Sequence, residues 1–184
     1  MTRYFILFLL AFFVLSCSDY TPRPQGYFRI ATPEPAYTMY EEKSGLYGFE
    51  LSEFAEVQHR QDNWLNIEYP FYKGEINCTY KVINGNFHAL SEDVRNFVYK
   101  PHVEVADAIS EQFYGNPEQK VYGMLYELKG NTASPIQFVL TDSVSYLFRG
   151  ALYFNATPNK DSIAPVVKYI ERDIVRLMES FRHK

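Results

Sequence analysis

The sequence predicts an α+β fold, in which a mainly antiparallel sheet is covered by helices and a long C-terminal helix packs on it. Short segments rich in β-branched and aromatic residues follow one another with brief turn segments between them, which is typical of antiparallel neighbours. The last segment instead spaces its apolar residues at the helical period. Such a stripe has to be buried, and the sheet is the available partner.

The predicted strands form two groups. The first is a hairpin made of Trp64–Tyr69 and Glu75–Ile83. The second is a meander of three strands, at Lys120–Leu128, Ser134–Asp142 and Ser145–Phe154. Because the connections within each group are short, antiparallel pairing is favoured over a crossover.

Two helices in tandem are predicted between the strand groups. The first begins near Ser91, which is followed by two acidic residues. The second covers His102–Tyr114 and ends at Gly115 and Pro117. Its apolar residues share one helical face, namely Val105, Ala106, Ile109 and Phe113.

The C-terminal segment predicts a long amphipathic helix. Asp161 or Ser162 is expected to cap its start, and Pro165 is expected in its first turn. One stripe along this helix carries Ile163, Val167, Ile170, Ile174, Leu177, Met178 and Phe181.

The N-terminus predicts a signal that ends in a lipid anchor. Tyr4–Leu15 is an unbroken apolar run of 12 residues after a short positive start, and as a helix it measures roughly 18 Å, too short for a hydrocarbon core of about 30 Å. The run closes as Val14-Leu15-Ser16-Cys17, which resembles the bacterial lipobox. We therefore expect acyl chains on Cys17, the alternative being a plain secretory signal with an incidental cysteine.

These features predict three regions along the chain. Residues 1–16 form the signal peptide, residues 17–40 the lipidated N-terminus and a proline-rich tether, and residues 41–184 a single domain. Within the tether, Gly26–Ile30 could form a first edge strand. The expected location is the cell envelope, on the periplasmic side of the inner or outer membrane, with display on the cell surface as the alternative.

Charge and cysteine content narrow the function classes. The formal net charge is −4, and no block of Lys and Arg is present, so a nucleic-acid partner is not expected. Once Cys17 is lipidated, Cys78 is the remaining cysteine, and its strand-like surroundings predict a buried thiol that acts as a small hydrophobe. An intramolecular disulfide is then excluded.

Several phrases together resemble the GldD gliding motility lipoproteins of Bacteroidetes. They are "GYFRI", "WLNIEYPFYKGEINCTYK", "KVYGMLYELKGNTASPIQFVLTDS", "FRGALYF" and "PNKDSIAPVVKYIERDI". The resemblance implies a part in the envelope machinery of gliding, coupled to type IX secretion, and supplies no catalytic residue. Family members carry a cysteine before "FE" and another before "IEYP", where this chain has Gly45 and Asn63.

Among the polar residues, Arg149 is the strongest candidate for a functional site. It falls in the middle of a predicted strand, on the face shared by Leu147, Ala151 and Tyr153. In a central strand its guanidinium needs an acidic or carbonyl partner or a ligand anion, since an unpaired buried charge is costly. Structural pairing is the favoured interpretation, and a partner or ligand contact is the alternative.

Other candidate sites carry weaker patterns. A metal site could be drawn from His88, Asp93, His102 and Glu104, but their spacing is not typical of one. A serine nucleophile could be drawn from Ser134, Ser143 or Ser162, but no G-x-S-x-G surrounds them. Ser143 and Ser162 also follow aspartates and are similar to the O-glycosylation acceptors of Bacteroidetes.

The sequence as a whole predicts a lipid-anchored, non-enzymatic envelope protein without a cofactor or a metal. It is expected to act as a scaffold or accessory factor that binds membrane proteins of the gliding or type IX secretion machinery. An envelope enzyme acting on glycan or peptide is the first alternative, and a module that binds a glycan or small ligand is the second. The many aromatic residues are interpreted as core and edge packing rather than a stacking surface for glycans.

Overall fold

The structure is a computed structural model, which describes residues 30, 32–61, 63–155 and 160–184, without the side chains of residues 61 and 160–162. Lipidation of Cys17, the signal peptide, and residues 17–29 and 31 of the predicted tether lie outside the described residues. So does the possible strand at Gly26–Ile30, except for Ile30, which is partly buried against the core.

The elements of the described residues alternate strands with two helices. The strands are β1 (Tyr37–Glu41), β2 (Tyr47–Ser52), β3 (Glu56–Gln61), β4 (Trp64–Tyr69), β5 (Gly74–Val82), β6 (Ala106–Asn116), β7 (Val121–Gly130), β8 (Ile136–Thr141), β9 (Tyr146–Phe154) and β10 (Arg182–His183). The helices are α1 (Phe87–Tyr99) and α2 (Lys160–Ser180).

Two antiparallel sheets result from these strands. The larger has seven strands in the order β3-β4-β5-β9-β8-β7-β6, and the smaller has three in the order β1-β2-β10. The predicted hairpin is confirmed as β4 and β5, and the predicted meander as β7, β8 and β9. The α+β fold class, with a mainly antiparallel sheet and a long C-terminal helix on it, is confirmed.

The main core lies between one face of the large sheet, helix α2 and the small sheet. Alternate residues of a strand point to opposite faces, so Ile76, Cys78 and Tyr80 of β5 all face this core. Aromatic rings fill its end near β10, where Phe181 stacks on Phe148 at a centroid distance of 5.1 Å. The prediction that most aromatic residues serve packing agrees with this cluster.

The segment predicted as a second helix is the edge strand β6, so that prediction is wrong. β6 pairs with β7 from Asn116↔Val121 to Ala106↔Gly130, and Pro117 lies in the hairpin loop rather than after a helix. The apolar residues at helical spacing are not buried on one side, since Phe113 is 68% exposed. The long ladder with β7 pairs the backbone N–H and C=O groups on one side of this strand. An edge strand that is exposed to solvent needs no alternating apolar pattern.

A single helix therefore lies between the two strand groups in the described chain. It begins at Phe87, four residues before the predicted start at Ser91, and ends at Tyr99. Its buried residues are Leu90, Val94 and Val98. Their spacing of four places them on one face, which rests on the large sheet.

Helix α2 carries the predicted stripe but begins earlier than expected. It starts at Lys160, so Asp161 and Ser162 lie within its first turn rather than before it, and Pro165 lies inside the helix. The stripe is fully buried from Ile170 onward, and the buried face also includes Val166, Tyr169 and Asp173. This face is wider than the predicted stripe because α2 contacts both sheets.

The ordered fold also extends further toward the N-terminus than predicted. β1 pairs with β2 from Tyr37↔Ser52 to Glu41↔Gly48, and the Tyr37 hydroxyl donates a hydrogen bond of 2.9 Å to Asp173 of α2. The predicted boundary between residues 40 and 41 therefore falls inside a strand. This strand was missed because its side chains are half-buried or exposed and show no apolar alternation, and because it follows a proline-rich segment.

Candidate functional site

Helix α1 covers only half of the outer face of the large sheet. Its contacts are with residues of β7, β8 and β9, among them Tyr126, Val139 and Leu147. The other half of that face belongs to β3, β4 and β5 and has no helix over it among the described residues. We call this half the uncovered sheet face; by strand register its side chains are Gln58, Arg60, Trp64, Asn66, Glu68, Glu75, Asn77 and Thr79.

The polar groups of the uncovered sheet face contact one another. Glu68 accepts a hydrogen bond of 2.8 Å from Gln58 and lies 3.6 Å from Arg60. Glu75 accepts hydrogen bonds of 3.5 Å from the amides of Asn66 and Asn77. The face is therefore a preformed polar surface whose charges are largely compensated locally.

A groove runs along the border between α1 and the uncovered sheet face. Its volume is about 240 Å³, and we call it the α1 groove. From the helix, its lining residues are Leu90, Asp93, Val94 and Phe97. From the sheet, they are Trp64, Thr79, Lys81, Leu147 and Arg149.

Arg149 reaches the α1 groove from β9, which lies between β5 and β8 in the sheet. Its Nη2 donates a hydrogen bond of 3.1 Å to the side-chain carbonyl of Gln137, and its guanidinium lies 4.4 Å from the centroid of the Phe97 ring. Its Nε is buried without a hydrogen-bond partner in the described part of the protein. Burial lowers the pKa of this guanidinium from its ordinary value.

No carboxylate lies within ion-pair distance of Arg149 among the described residues. Its neighbour Gln137 is buried, and the Nε2 of that amide also has no protein partner in the same residues. Arg149 lies in a central strand, and its contacts there are an amide carbonyl and an aromatic ring.

Two exposed aromatic rings stand on either side of Arg149. Trp64 is 56% exposed and Phe97 is 54% exposed. The register Trp64↔Thr79↔Arg149 places the indole two strands from the arginine, or about 10 Å. Sequence reasoning missed both residues, although the alternation of β4 already put Trp64 on the polar side, opposite Leu65.

The residues of the possible metal site do not come together. His88 is exposed near the start of α1, with its Nδ1 at 3.9 Å from Glu92, whereas His102 is buried beyond the other end of the helix. The Nδ1 of His102 lies 2.9 Å from the carbonyl oxygen of Val98. In the described chain no group of three His, Cys, Asp or Glu residues could hold a metal ion.

The candidate serines have local structural surroundings. Ser134 is fully buried, and its hydroxyl donates to the carbonyl oxygen of Ile136 at 3.3 Å. Ser143 is exposed in the turn between β8 and β9 with a φ of 68°, so the access that a modifying enzyme needs is present there. The side chain of Ser162 lies outside the described residues.

Asp142 organises the turn that carries Ser143. Its Oδ1 accepts hydrogen bonds from the backbone N–H groups of Val144 at 2.9 Å and Ser145 at 2.7 Å. Burial acts to raise the pKa of this carboxyl, but the hydrogen bonds from Ser145 and its neighbours outweigh it and lower the pKa to about 2.

Cys78 is buried in the main core, and burial raises the pKa of its thiol. The two positions at which the family resemblance implies cysteines lie near one another. Gly45, with a φ of 70°, belongs to the turn between β1 and β2. Its neighbours Ser44 and Leu46 line the same cavity as Asn63.

A larger cavity, of about 560 Å³, lies between α2 and the end of β7. Lys129 and Lys168 line it together with Glu127 and Glu171, and Lys129 lies 3.7 Å from Glu127. Asp107 lines it as well, so three carboxylates and two ammonium groups share this lining, whereas Arg149 has no carboxylate within ion-pair distance among the described residues. The α1 groove and the uncovered sheet face are therefore the candidate functional site.

Known proteins resemble this chain to different degrees. Among the solved structures that resemble it is cyanobacterial PsbP (CyanoP) from Synechocystis sp. PCC 6803, with 9% sequence identity and a TM-score of 0.49; the match covers 88% of this chain and 100% of that chain. Another is the Saccharomyces cerevisiae Ran-binding protein Mog1p, also with 9% identity and with a TM-score of 0.47; the match covers 82% of this chain and 96% of that chain. No curated protein matches the chain. None of the described helices is long and apolar enough to cross a membrane. A family model described as "Gliding motility lipoprotein GldD" matches residues 17–183, and the chain therefore belongs to the GldD family of gliding motility lipoproteins.

Proposed function

We propose that this protein is a non-enzymatic scaffold, anchored to the membrane through Cys17, that holds membrane proteins of the gliding and type IX secretion machinery. The family match supports a role in gliding motility and an anchored position in the envelope. The single observation that carries the scaffold function is the uncovered sheet face, which has the exposed indole of Trp64 at its border with the α1 groove.

The chemistry of this surface supports binding to a protein. Polar residues that already contact one another lose few hydrogen bonds when a partner covers them, and exposed aromatic residues are enriched in protein interfaces. Trp64 combines a large apolar area with one N–H donor. Arg60 of the edge strand β3 and Glu68 of the neighbouring strand β4 supply a polar rim, as is usual for interfaces.

Site-specific photo-crosslinking in gliding cells tests the proposal. A photo-reactive residue in place of Trp64 should give adducts with membrane-embedded motility or secretion proteins. The matched control is Glu118, which is exposed in the loop between β6 and β7 at the opposite edge of the sheet. The scaffold function is contradicted if Trp64 gives no adduct, or if both positions give the same adducts.

A second candidate function is a glycan-binding module. Trp64 stands beside Asn66 and Asn77, and an aromatic face next to amide side chains can stack on a sugar ring and bond its hydroxyls. Retention of the purified protein on insoluble cell-wall material, lost in Trp64→Ala and kept in Phe113→Ala, would favour this function. Phe113 is the matched control because it is exposed on the distant strand β6.

A further inference from the structure

The charge of Arg149 is the feature of the candidate site that the fold itself does not explain. A guanidinium has five N–H donors, and the described residues supply one hydrogen-bond acceptor for it, the carbonyl of Gln137. Phe97 contacts its face rather than its N–H groups. An arginine that is partly buried with donors to spare is suited to an external anion, because a charge-assisted hydrogen bond is stronger than a neutral one.

The other charges around the α1 groove leave a net positive site. Lys81 lines it from β5, and Asp93 lines it from α1. Asp93 is exposed on the helix, where water screens its charge, and it makes no ion pair in the described part of the chain. The sum of Arg149, Lys81 and Asp93 is one positive charge, which is complementary to a single carboxylate.

The walls of the α1 groove indicate what carries that carboxylate. Leu90, Val94 and Leu147 form a continuous apolar wall next to Phe97. A sugar acid would bring its hydroxyl groups against this wall and leave them without partners, which costs free energy. An acidic amino acid flanked by apolar side chains instead places apolar groups on the wall and on Trp64.

We infer that the α1 groove is a recognition site for a glutamate or aspartate of a partner polypeptide, which Arg149 binds while flanking apolar residues pack on Trp64 and Phe97. This inference rests on the proposed scaffold function and names the chemistry of its partner. The volume of about 240 Å³ suits a side chain and a neighbouring group rather than a whole folded element. The uncovered sheet face then supplies the wider contact area around this anchor.

Fluorescence offers a direct test because the chain has one tryptophan, so the whole indole signal comes from Trp64. The purified lipoprotein in detergent is titrated with the blocked tripeptide Leu-Glu-Leu and, in parallel, with Leu-Gln-Leu. We expect the emission of Trp64 to respond to both and the glutamate peptide to bind at least tenfold more tightly. This preference should shrink at high salt, since it depends on charge.

Variants assign the preference to one residue. Arg149→Met keeps an unbranched apolar stem but removes the charged guanidinium, and it should abolish the difference between the two peptides. The matched control is Arg95→Met, because Arg95 is exposed on helix α1, which borders the groove, but does not line the groove itself. Arg149→Lys keeps the charge but loses the planar fork, so it should retain a weaker preference.

Several results would overturn the inference. Equal binding of the two peptides by the wild-type protein would exclude an anion site, and this measurement holds even if Arg149→Met fails to fold. Tighter binding of glucuronate than of Leu-Glu-Leu would identify a sugar acid as the ligand instead. Loss of the preference in Arg95→Met as well would show that it does not come from the groove.

The inference and the proposed function can fail separately. Peptide discrimination in the purified protein without crosslinks from Trp64 in cells would leave an anion site but no scaffold. Crosslinks from Trp64 that persist in Arg149→Met, together with equal binding of the two peptides, would leave a scaffold whose partner is recognised by the uncovered sheet face alone.

Discussion

Gly150→Ala should be strongly destabilising, because a core aromatic ring occupies the space of the missing side chain. Gly150 of β9 lies opposite Phe138 of β8. A Cβ atom at Gly150 would come within 2.3 Å of Cε1 and 2.5 Å of Cζ of that ring, whereas ordinary contacts are 3.4–4 Å. The ring must therefore move by about 1 Å in an interior that is already closely packed.

The expected cost follows from that displacement. Extra methyl groups in a packed core cost about 1–3 kcal/mol, and the buried position of Phe138 puts this case near the upper end, at about 3 kcal/mol. For a chain of this size, such a loss lowers the Tm by roughly 6–12 °C. Thermal and urea denaturation of the purified protein in detergent, followed by circular dichroism, measures it.

Gly115→Ala is the matched control. A Cβ atom at Gly115 would also approach a phenylalanine, at 3.0 Å from Cε1 of Phe113, but that ring is exposed and free to turn away. The unfolded chain loses some freedom when alanine replaces glycine, so this variant should stay within about 0.5 kcal/mol of the wild type or gain slightly. The two variants make the same chemical change on two strands of one sheet.

A double-mutant cycle separates the clash from other effects. Phe138→Leu alone should cost about 1–2 kcal/mol through lost packing, and it opens space for the methyl group at residue 150. The double variant should then cost about 2 kcal/mol rather than the sum of the single costs. A Gly150→Ala variant as stable as Gly115→Ala, or strictly additive costs, would refute the steric reasoning.

Three further predictions concern hydrogen bonds and the anchor. Tyr69→Phe removes the buried hydroxyl that donates to the Asp173 carboxylate at 3.1 Å and should cost about 2 kcal/mol. Tyr37→Phe should cost less because Tyr37 is only partly buried, and equal costs in urea denaturation would argue against this effect of burial. The pKa of Asp142 is about 2 in the folded protein, below its unfolded value of 3.8, so this carboxylate stabilises the fold above pH 4 and the stabilisation is lost as the pH falls toward 2. Asp142→Asn should therefore flatten the dependence of the unfolding free energy on pH between 4 and 2. An unchanged dependence would contradict the stabilising role of this carboxylate. Cys17→Ser should block both lipidation and cleavage of the signal peptide, so that mass spectrometry finds the uncut precursor. The lipid anchor would be refuted if the wild-type protein had a free amino terminus beyond Cys17 and left the membranes on treatment with salt alone.

The elements that could be predicted are those specified by neighbouring residues. The strands β4 and β5 alternate apolar and polar side chains across a short connection, and the meander β7–β9 has short turns, so both local pattern and pairing agree. The stripe of α2 likewise follows from its spacing. The segment at β6 was predicted wrongly because its few apolar residues coincide with a helical period while the ladder with β7 decides its conformation.

The small sheet could not be predicted from the pattern of its strands. β10 has two residues and pairs with β2 from the opposite end of the chain, so the backbone partner of Arg182 is Gly48. β1 forms a hairpin with β2, but its side chains are half-buried or exposed and show no apolar alternation. For this reason the predicted boundary between residues 40 and 41 falls inside a strand.

For the candidate site, the sequence by itself determined where Arg149 and Trp64 lie within their strands. The strand pattern places Arg149 in the middle of a strand and Trp64 on a polar side. Only the packed structure decided that α1 lies over β7–β9 and that, among the described residues, no helix covers the β3–β5 half. It also decided that Arg149 contacts Gln137 and Phe97, because such neighbours come from strand order and helix placement, which depend on contacts across the whole domain.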